Sequence, residues 1–468
     1  MGSIAQPIGL TPLDHITAKV YLPYMLYFNT DDPSTAVRTL QNGINKLVTE
    51  IPWLAGDVVC HSEPETRGFI HSPTTSHDVP MLTVKYFDRN EDFCTHPKNE
   101  YFALPVFIPA SQQRPVLRFQ VNVFPSKIAL VMSFMHMAFD GSGAGVVLQA
   151  LSECCQAAAA EDSESIRTPI TKEIVRTAIE HRREVSDWPS KCETRLDHSV
   201  ELGPPAFDSN FSTEQWGAME SVLSSAADTY RVTFSPDKIA HLKALCAKRL
   251  PQLKQPFDPT YPFSSNDIIT AALGISIDRI MHPNQAGKDK PTSIFMVADL
   301  RRRINPPLPE TYLGNMIFPI WRPIHCRKDS EETSQGEESD LIHLAQLALE
   351  LRTGVTSSIN ETLGYSASAA VAESGDWYQM EGKPADVVMT SWRHLKVFAL
   401  DFGPGLGHIE DFESGFSLIP GACIMLPQRT RELQPAEPVP WEASITLRPG
   451  DYEAFVKDPL LSQIFAES

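Results

Sequence analysis

Two runs of alternating apolar residues, joined by a short polar turn, place the strongest constraint on what this chain can fold into. The turn is Pro125-Ser126-Lys127. Apolar residues occupy every second position on both sides of it: Leu117, Phe119, Val121 and Val123 before it, and Ile128, Leu130, Met132 and Phe134 after it. A period of two is typical of strands with one buried face. The sequence therefore predicts a half-buried strand pair joined by a hairpin.

A histidine motif follows the second strand directly. It reads His136-Met137-Ala138-Phe139-Asp140-Gly141, and the alternation places His136 on the apolar face. A neutral imidazole at a strand end, in a largely apolar cleft, has a pKa near the operating pH and can accept a proton from a hydroxyl. The alternative is a core histidine with satisfied hydrogen bonds. His136 is thus a candidate general base.

A second match to the same spacing shows that the pattern alone is weak. It runs from His325 to Asp329 and opens a polar, acidic stretch that continues to Asp340. Such a stretch is typical of a solvated loop. We expect residues 327–340 to be a surface insertion without a catalytic role.

Helical periodicity flanks the strand pair. Leu40, Ile44, Leu47 and Ile51 form a stripe that starts after a turn at residues 31–34 and ends at Pro52. A second helix is predicted after the histidine motif, from Val146 through Leu151, with Gly141–Gly145 as the turn that leads into it. The start of that helix would face the site. These alternating patterns predict the α/β class.

Composition bounds the domain count and the partners. The chain has 468 residues and is 42% hydrophobic, enough for two cores because single cores stop growing at about 250–300 residues. Lys and Arg number 40 against 58 Asp and Glu, which gives a net charge of −18. An acidic chain of this kind is not expected to bind nucleic acid or an anionic membrane surface.

Cysteine spacing and hydropathy indicate the compartment. The eight cysteines show no C-x-x-C spacing, so reduced and mostly buried thiols are expected. We see no secretion signal and no apolar run of the roughly 20 residues that span a membrane. A cytoplasmic protein is therefore expected. Neither H-E-x-x-H nor a clustered Cys/His set is present, and no metal site is predicted.

Together with the histidine motif, several further strings resemble the BAHD acyltransferases, a coenzyme A-dependent superfamily. The second mark of that family is nearly present as Asp401-Phe402-Gly403-Pro404-Gly405, with Pro404 where the plant enzymes have tryptophan. The other family-like strings occur in the expected order: 10–14, 264–267, 299–303, 306–309, 314–315, 390–392 and 441–442. The resemblance covers essentially the whole chain and is closest to the fungal branch, which includes O-acetyltransferases of secondary-metabolite clusters.

This resemblance implies an architecture. It predicts two similar mixed-sheet domains of the chloramphenicol-acetyltransferase-like type, with the active site in a channel between them. Residues 1–190 would form the N-terminal domain with the H-x-x-x-D motif, and residues 221–468 the C-terminal domain with the D-F-G-x-G motif. A polar, proline-bearing stretch supports a crossover linker at 191–220.

The resemblance also implies roles for individual residues. His136 would be the general base of a direct transfer without an acyl-enzyme. Asp140 would give structural support by pairing with an arginine, Arg301 first and Arg303 second. Thr390 and Trp392 would donate to the tetrahedral intermediate, or would simply be strand and core residues. The Asp401–Gly405 motif would be structural and lie away from the active centre.

Acyl-CoA would be a co-substrate, with no tightly bound cofactor. Ser264 and Ser265 are candidate contacts, although both could instead cap a helix that begins near Asp267. Because coenzyme A is polyanionic, its phosphates need basic residues, and Arg429 is the candidate we select. Four others were considered with it: Lys243, Lys248, Arg249 and Arg431.

The predicted function is an O-acyltransferase that moves acetyl from acetyl-CoA to a hydroxyl of a fungal terpenoid or polyketide, in a monomer. The alternatives are a non-catalytic binding module and a condensation-like domain of a peptide synthetase, whose first motif histidine is here Met135. A serine hydrolase is disfavoured because no G-x-S-x-G appears. The acceptor, its regiochemistry, the acyl length and an oxygen or nitrogen nucleophile stay open.

Overall fold

The structure is a computed structural model, and it describes residues 7–62, 66–72, 79–88, 99–159, 168–193, 202–203, 212–253, 262–283, 291–324, 334–383, 385–415, 419–432 and 435–466. The second histidine match at 325–329 and most of the predicted linker lie outside these residues. The strands are β1 (Ile8–Gly9), β2 (Tyr21–Asn29), β3 (Asp57–His61), β4 (Arg67–His71), β5 (Leu82–Tyr86), β6 (Leu117–Val123), β7 (Lys127–Met135), β8 (Leu202–Gly203), β9 (Asp228–Phe234), β10 (Thr292–Asp299), β11 (Ile317–Ile324), β12 (Glu381–Gly382), β13 (Val387–Ser391), β14 (Asp411–Glu413), β15 (Ala422–Met425) and β16 (Trp441–Leu447). The helices are α1 (Pro12–His15), α2 (Pro33–Glu50), α3 (Gly141–Ala159), α4 (Pro169–Ser186), α5 (Thr213–Ser225), α6 (Pro236–Ala247), α7 (Ser265–Met281), α8 (Ser334–Thr353), α9 (Glu361–Glu373) and α10 (Tyr452–Val456).

Two mixed sheets dominate the described residues and confirm the predicted α/β class. The first has the strand order β14-β2-β7-β6-β5, and the second β11-β10-β13-β15-β16-β9. Each sheet carries a large apolar cluster of its own. In the first sheet all neighbours are antiparallel except β5 and β6. In the second, β10, β13 and β15 run parallel to one another.

The predicted hairpin is present as β6 and β7, with Leu117 opposite Phe134 and Val123 opposite Ile128. It differs from the prediction in burial, since both of its faces are covered. Even-numbered β7 residues such as Leu130 pack with α2 and α3 in the larger cluster, whereas Val131 belongs to a smaller one on the other face. The alternation therefore identified one buried face, and a separate segment around residues 99–102 covers the second.

The two predicted helices are present, and one begins earlier than expected. Helix α2 starts at Pro33 with Asp32 as its cap and ends before Pro52. Helix α3 starts at Gly141, so residues 141–145 are its first turn and not the predicted turn. Glycine is needed there because of close contacts: a Cβ atom on Gly145 would lie 2.7 Å from Leu395. The acidic run also differs, because residues 334–340 already belong to α8.

Chain segments cross between the two sheets. Strand β14 pairs with β2, so Asp411–Glu413 complete the first sheet although they follow most of the second in sequence. Apolar residues between Trp392 and Leu426 likewise pack into the first cluster, and Leu13 and Ile16 pack into the second. The boundaries proposed at 190 and 221 do not describe this exchange and stay a prediction.

Two further expectations concern cysteines and membranes. Among the described cysteines, Cys154, Cys155, Cys246 and Cys423 are buried free thiols, and Cys60 and Cys192 are half-buried free thiols. Cys94 and Cys326 lie outside the described residues. Within the described part of the chain, no helix has the length and apolar character needed to cross a bilayer.

Candidate functional site

The histidine motif lies where an edge of the first sheet meets an edge of the second. The backbone N–H of His136, directly after β7, donates to Val20 O at 2.9 Å. The facing edge is formed by the carboxyl ends of the parallel strands β10, β13 and β15, which end at Asp299, Ser391 and Met425. Clefts outside the carboxyl ends of parallel strands are common ligand sites. The motif is thus placed between the two halves of the molecule.

Burial favours the neutral form of the His136 imidazole. Burial lowers the pKa of His136 because the imidazolium is poorly solvated there, although the charge of Asp140 opposes the effect. The residue is half-buried and its Nδ1 atom is buried. Nε2, unlike Nδ1, is not among the buried side-chain atoms without a partner, and it is the ring nitrogen left to meet a substrate. A neutral ring with an accessible nitrogen can act as a proton acceptor.

Asp140 is occupied by donors on both carboxylate oxygens. Arg301 Nη1 donates to Oδ2 at 2.9 Å and Arg301 Nη2 to Oδ1 at 3.0 Å, while the backbone N–H groups of Gly143 and Met316 donate at 2.9 and 3.0 Å. Burial would raise the pKa of this carboxyl, but Arg301 and the backbone donors outweigh it, so the pKa lies below its usual range. Arg303 lies elsewhere and donates to Val355 O. Asp140 fixes the loop and the start of α3 to the second half of the chain.

A second buried ion pair supports the same loop. Arg182 Nη1 donates to Asp14 Oδ2 at 2.7 Å, and Arg182 Nη2 donates to Ala138 O at 2.6 Å. The side chain of Asn315 donates both to Asp14 Oδ1 and to His136 O, at 3.0 and 2.9 Å. Asp14 and Asn315 lie in family-like strings, but nothing in the sequence connected them with His136. This support was missed.

Thr390 and Trp392 lie at the end of β13, on the edge that faces the motif. The indole of Trp392 packs against Tyr24 with ring centroids 4.6 Å apart, and a Cβ on Gly141 would lie 2.8 Å from its Nε1. Within the described residues, neither the Thr390 hydroxyl nor the Trp392 Nε1–H has a hydrogen-bond partner. Both donors are available to a ligand.

A third bridge joins the halves beside this edge. Ser142 Oγ, in the first turn of α3, lies 3.0 Å from His394 Nε2 and 3.2 Å from Asp299 Oδ2. Asp299 also accepts from Arg301 Nη1 at 3.1 Å. Sequence reasoning had given His394 no role. Its position three residues after Ser391 was the available signal, because strand ends of parallel sheets carry functional groups.

The candidate coenzyme A contacts separate into two kinds. Ser264 caps α7, with Asp267 N donating to its Oγ. Its hydroxyl therefore has the helix-capping role that was the alternative to coenzyme A binding. Ser265 lines a cavity of about 450 Å³. Other residues around this cavity are Asp237, Arg393, Gln428 and Trp441.

The candidate basic residues are mostly engaged with acids. Arg429 Nη2 donates to Asp411 at 2.5 Å and its Nε to Glu442 at 3.2 Å, so its charge is already neutralised. Arg249 pairs with Glu338, and Arg431 with Glu410. Arg393, which we had not considered, lies at the cavity, with its guanidinium carbon 4.0 Å from the ring centroid of Trp441.

The Asp401–Gly405 motif lies behind the first sheet, against α2 and α3. Gln156 Nε2 donates to Asp401 O at 2.6 Å, and Thr39 Oγ1 donates to Pro404 O at 2.9 Å. Phe402 is buried against Phe28, with ring centroids 5.1 Å apart. No catalytic residue named above contacts it within the described residues.

Across the described residues, no group of three or more His, Cys, Asp or Glu side chains is arranged to hold a metal ion.

Comparisons with known proteins show which proteins the chain is similar to. A model of the transferase family matches residues 3–461. A communesin N16 acyltransferase from Penicillium expansum is 31% identical and covers 97% of each chain, and a fumigaclavine B O-acetyltransferase from Aspergillus fumigatus is 30% identical and covers 96% of each. Among solved structures, F. graminearum TRI101 complexed with coenzyme A and deoxynivalenol has a TM-score of 0.75 at 18% identity, covering 98% of this chain and 99% of the other. Vinorine synthase has a TM-score of 0.61 at 15% identity, covering 100% and 96%.

The solved structures share the two-sheet fold, and the family match extends over almost the whole sequence. The chain therefore belongs to this transferase family, the BAHD acyltransferases.

Proposed function

We propose that the chain is an acyl-CoA-dependent O-acyltransferase that transfers acetyl to a hydroxyl of a fungal secondary metabolite, a terpenoid or a polyketide. The observation that carries this proposal is a neutral His136 fixed between the two sheets, opposite unpaired donors. Several fungal relatives are named as O-acetyltransferases, which supports the choice of acetyl and oxygen.

His136 takes the acceptor proton in the proposed mechanism. Its Nε2 removes the proton as the hydroxyl oxygen attacks the thioester carbonyl, and the same proton then passes to the departing thiolate. A positioned base of this kind contributes about 10²- to 10⁴-fold in rate. Binding both substrates in one cleft removes their relative translational freedom and contributes further. Asp140 stays ionised throughout and takes no proton.

Thr390 and Trp392 would stabilise the tetrahedral intermediate. The oxyanion that forms at the thioester carbonyl needs donors that are already in position, and both side chains offer an unpaired donor at the strand edge. The loss of one such donor costs roughly 10²- to 10³-fold in kcat. Of the two residues, Thr390 gives the sharper test, because Thr390→Val removes the hydroxyl donor and keeps the side-chain shape.

Acyl-CoA is proposed to bind from the side of the Ser265 cavity. Arg393 is the basic residue that this proposal assigns to acyl-CoA, since it lines the same cavity as Ser265. Arg429 would have to leave two carboxylates before it could bind a phosphate. We further propose that the protein is a cytoplasmic monomer, which sedimentation and localisation of a tagged chain would test.

The test is acyl transfer by the purified protein. Acetyl-CoA is incubated with a panel of terpenoid and polyketide alcohols, and with matching amines because one relative is named for acylation at nitrogen. Free thiol and product mass are followed in wild type, His136→Ala and a control, His282→Ala, at the far end of α7. Acceptor-dependent thiol release that only His136→Ala abolishes supports the proposal. If no thiol is released by any of the three proteins, wild type included, with any acyl donor, a binding module is favoured instead.

A further inference from the structure

Four arginines in the described residues are almost completely buried, and they differ in how their charge is satisfied. Arg114, Arg118, Arg182 and Arg301 are 2%, 1%, 3% and 3% exposed. Arg182 and Arg301 pair with aspartates, as described above. Arg118 donates to the carbonyls of Val79 and Leu117 at 3.1 and 2.6 Å. Each of these three has a carboxylate or carbonyl partner, as buried charges require, although Nη2 of Arg118 and Nε of Arg182 and Arg301 are buried donors without one in the described residues.

Arg114 does not follow that rule. Among the described residues, its guanidinium has no ion pair and no hydrogen-bond acceptor, and its Nε is a buried donor without a partner. The ring of Tyr378 lies against the guanidinium, with its centroid 4.9 Å from the guanidinium carbon. A cation over an aromatic ring compensates for part of the lost hydration, but it leaves the buried Nε–H donor unused.

Neighbouring groups are also donors or cations. The hydroxyl of Tyr378 is buried and has no partner in the described part of the chain. Lys19 is close enough to Arg114 for the two charges to repel, yet Lys19 is itself satisfied by His15 O and Met380 O, both at 2.6 Å, and by Glu381. Arg114 thus has a cation and an unpaired hydroxyl as neighbours and no acidic partner of its own in the described residues, although Glu381 lies 3.9 Å from Lys19.

Arg114 lies at the same sheet edge as His136. Since β6 and β7 are antiparallel, the residues just before β6 lie beside those just after β7. Met135 N donates to Val116 O at 2.9 Å, and Tyr21 Oη donates to Pro115 O at 2.9 Å. Tyr378 approaches Arg114 from the second half of the chain. The backbone of Arg114 is thus close to that of the motif, and Tyr378, which contacts its guanidinium, packs in the apolar cluster of the first sheet.

We propose that Arg114, with the Tyr378 hydroxyl, binds a carboxylate of the acyl acceptor, so that the acceptor is a hydroxy acid. The identification of the bound carboxylate's owner as the acyl acceptor rests on the proposed acyl transfer. A carboxylate supplies the missing negative charge and accepts two parallel N–H bonds from a guanidinium. Charge-assisted contacts of this kind change affinity by about 10- to 100-fold.

The first test needs no turnover. A set of cyclic and aromatic hydroxy acids, each with its methyl ester, is titrated against wild type, Arg114→Gln, Arg114→Lys and the control Arg176→Gln, which changes the same charge on an exposed part of α4. Binding is followed by tryptophan fluorescence or calorimetry. The expected result is a preference for acid over ester in wild type and the control that falls at least tenfold in Arg114→Gln and is only partly kept in Arg114→Lys. No preference for any acid, or an equal preference in Arg114→Gln, overturns the proposal.

A second test uses the unliganded protein. A buried cation without a partner destabilises the fold, so Arg114→Gln is expected to raise the melting temperature, whereas Arg182→Gln lowers it. A lower melting temperature for Arg114→Gln means that the arginine has a structural role and counts against the proposal. Thiol release with acetyl-CoA then separates the two ideas. Acid-selective binding without acyl transfer retains the role of Arg114 and contradicts the proposed function.

Discussion

The two sequence motifs of this chain are built in opposite ways. The loop from His136 to Asp140 is fixed by a buried ion pair with Arg301 and by hydrogen bonds that Arg182 and Asn315 donate to its carbonyl oxygens, all from distant parts of the chain. The Asp401–Gly405 loop is fixed mainly by backbone conformation, since Gly403 and Gly405 have φ of +83° and +78°, and by one buried aromatic ring, Phe402. Charge networks give directional positioning of a side chain, whereas glycine turns and apolar anchors only require the backbone to fit. In this chain the loop with the candidate base has the first design, and the loop behind the first sheet has the second.

Removing the carboxylate of Asp140 from the first loop should have the largest effect on stability and activity. Asp140→Ala leaves the buried Arg301 with Asp299 as its remaining charge partner, so we expect the free energy of unfolding to fall by up to about 3–5 kcal/mol, with loss of activity in the folded fraction. Urea unfolding and thiol release measure the two effects. Arg302→Gln, at an exposed neighbouring arginine, is the control. A stability loss below about 1 kcal/mol would contradict the view that this pair holds the loop.

Adding a single methyl group to a glycine of the second loop should lower stability. Gly405→Ala places a Cβ 2.9 Å from Ala36 N in a backbone conformation that L-residues rarely adopt. We expect a stability loss of about 1–3 kcal/mol with unchanged kcat/KM per folded molecule. Gly407→Ala, at φ +62° with open space around the Cβ, isolates the conformational part. A change in kcat/KM at full stability would mean that this loop acts on the site.

Only the first loop should make activity depend on pH. His136 must be neutral to accept a proton, and burial places its pKa below 6.5, so activity persists above that pKa and falls as the pH drops through it. The decrease in kcat between pH 7.5 and 5.5 should therefore be less than about tenfold. A pH–rate profile measures it, with stability followed in parallel. An acid limb centred above 6.5 would show that the base is less buried than the structure indicates.

The smallest effect is expected at the departure from the plant motif. Pro404 is exposed, and its carbonyl oxygen makes the contact with Thr39, so an indole at this position would add little. Pro404→Trp should change the free energy of unfolding by no more than about 0.5 kcal/mol and leave kcat/KM unaltered. Thermal unfolding and steady-state kinetics check both. A large gain in stability would indicate that proline at this position leaves an unfilled contact.

Sequence reasoning was most successful where the signal is local. The hairpin, helix α2 and the cap at Ser264 follow from spacing within a few residues. The position of Arg301 against Asp140 had been expected only from family resemblance. Catalytic and binding roles remain predictions.

The parts that the sequence did not reveal depend on contacts between distant residues. Asp14, Asn315 and Arg182 bond one another and the histidine loop across as many as 301 positions, and no periodicity encodes these bonds. Arg114 looked like any polar loop residue, because what distinguishes it is burial without a partner. The engagement of Arg429 by two carboxylates was equally invisible, since attraction between charges depends on where the chain folds back.

The return of β14 to the first sheet has a consequence for synthesis of the protein. Tyr27 Oη bonds to Glu413, 386 positions later, so the edge of β2 stays unpaired until nearly the whole chain has left the ribosome. At about 5–20 residues per second this wait lasts tens of seconds. An exposed strand edge is a template for pairing with another nascent chain. Expression yield should thus depend on chaperones that shield β2 during translation, and a ribosome stalled before residue 411 would carry an aggregation-prone first sheet.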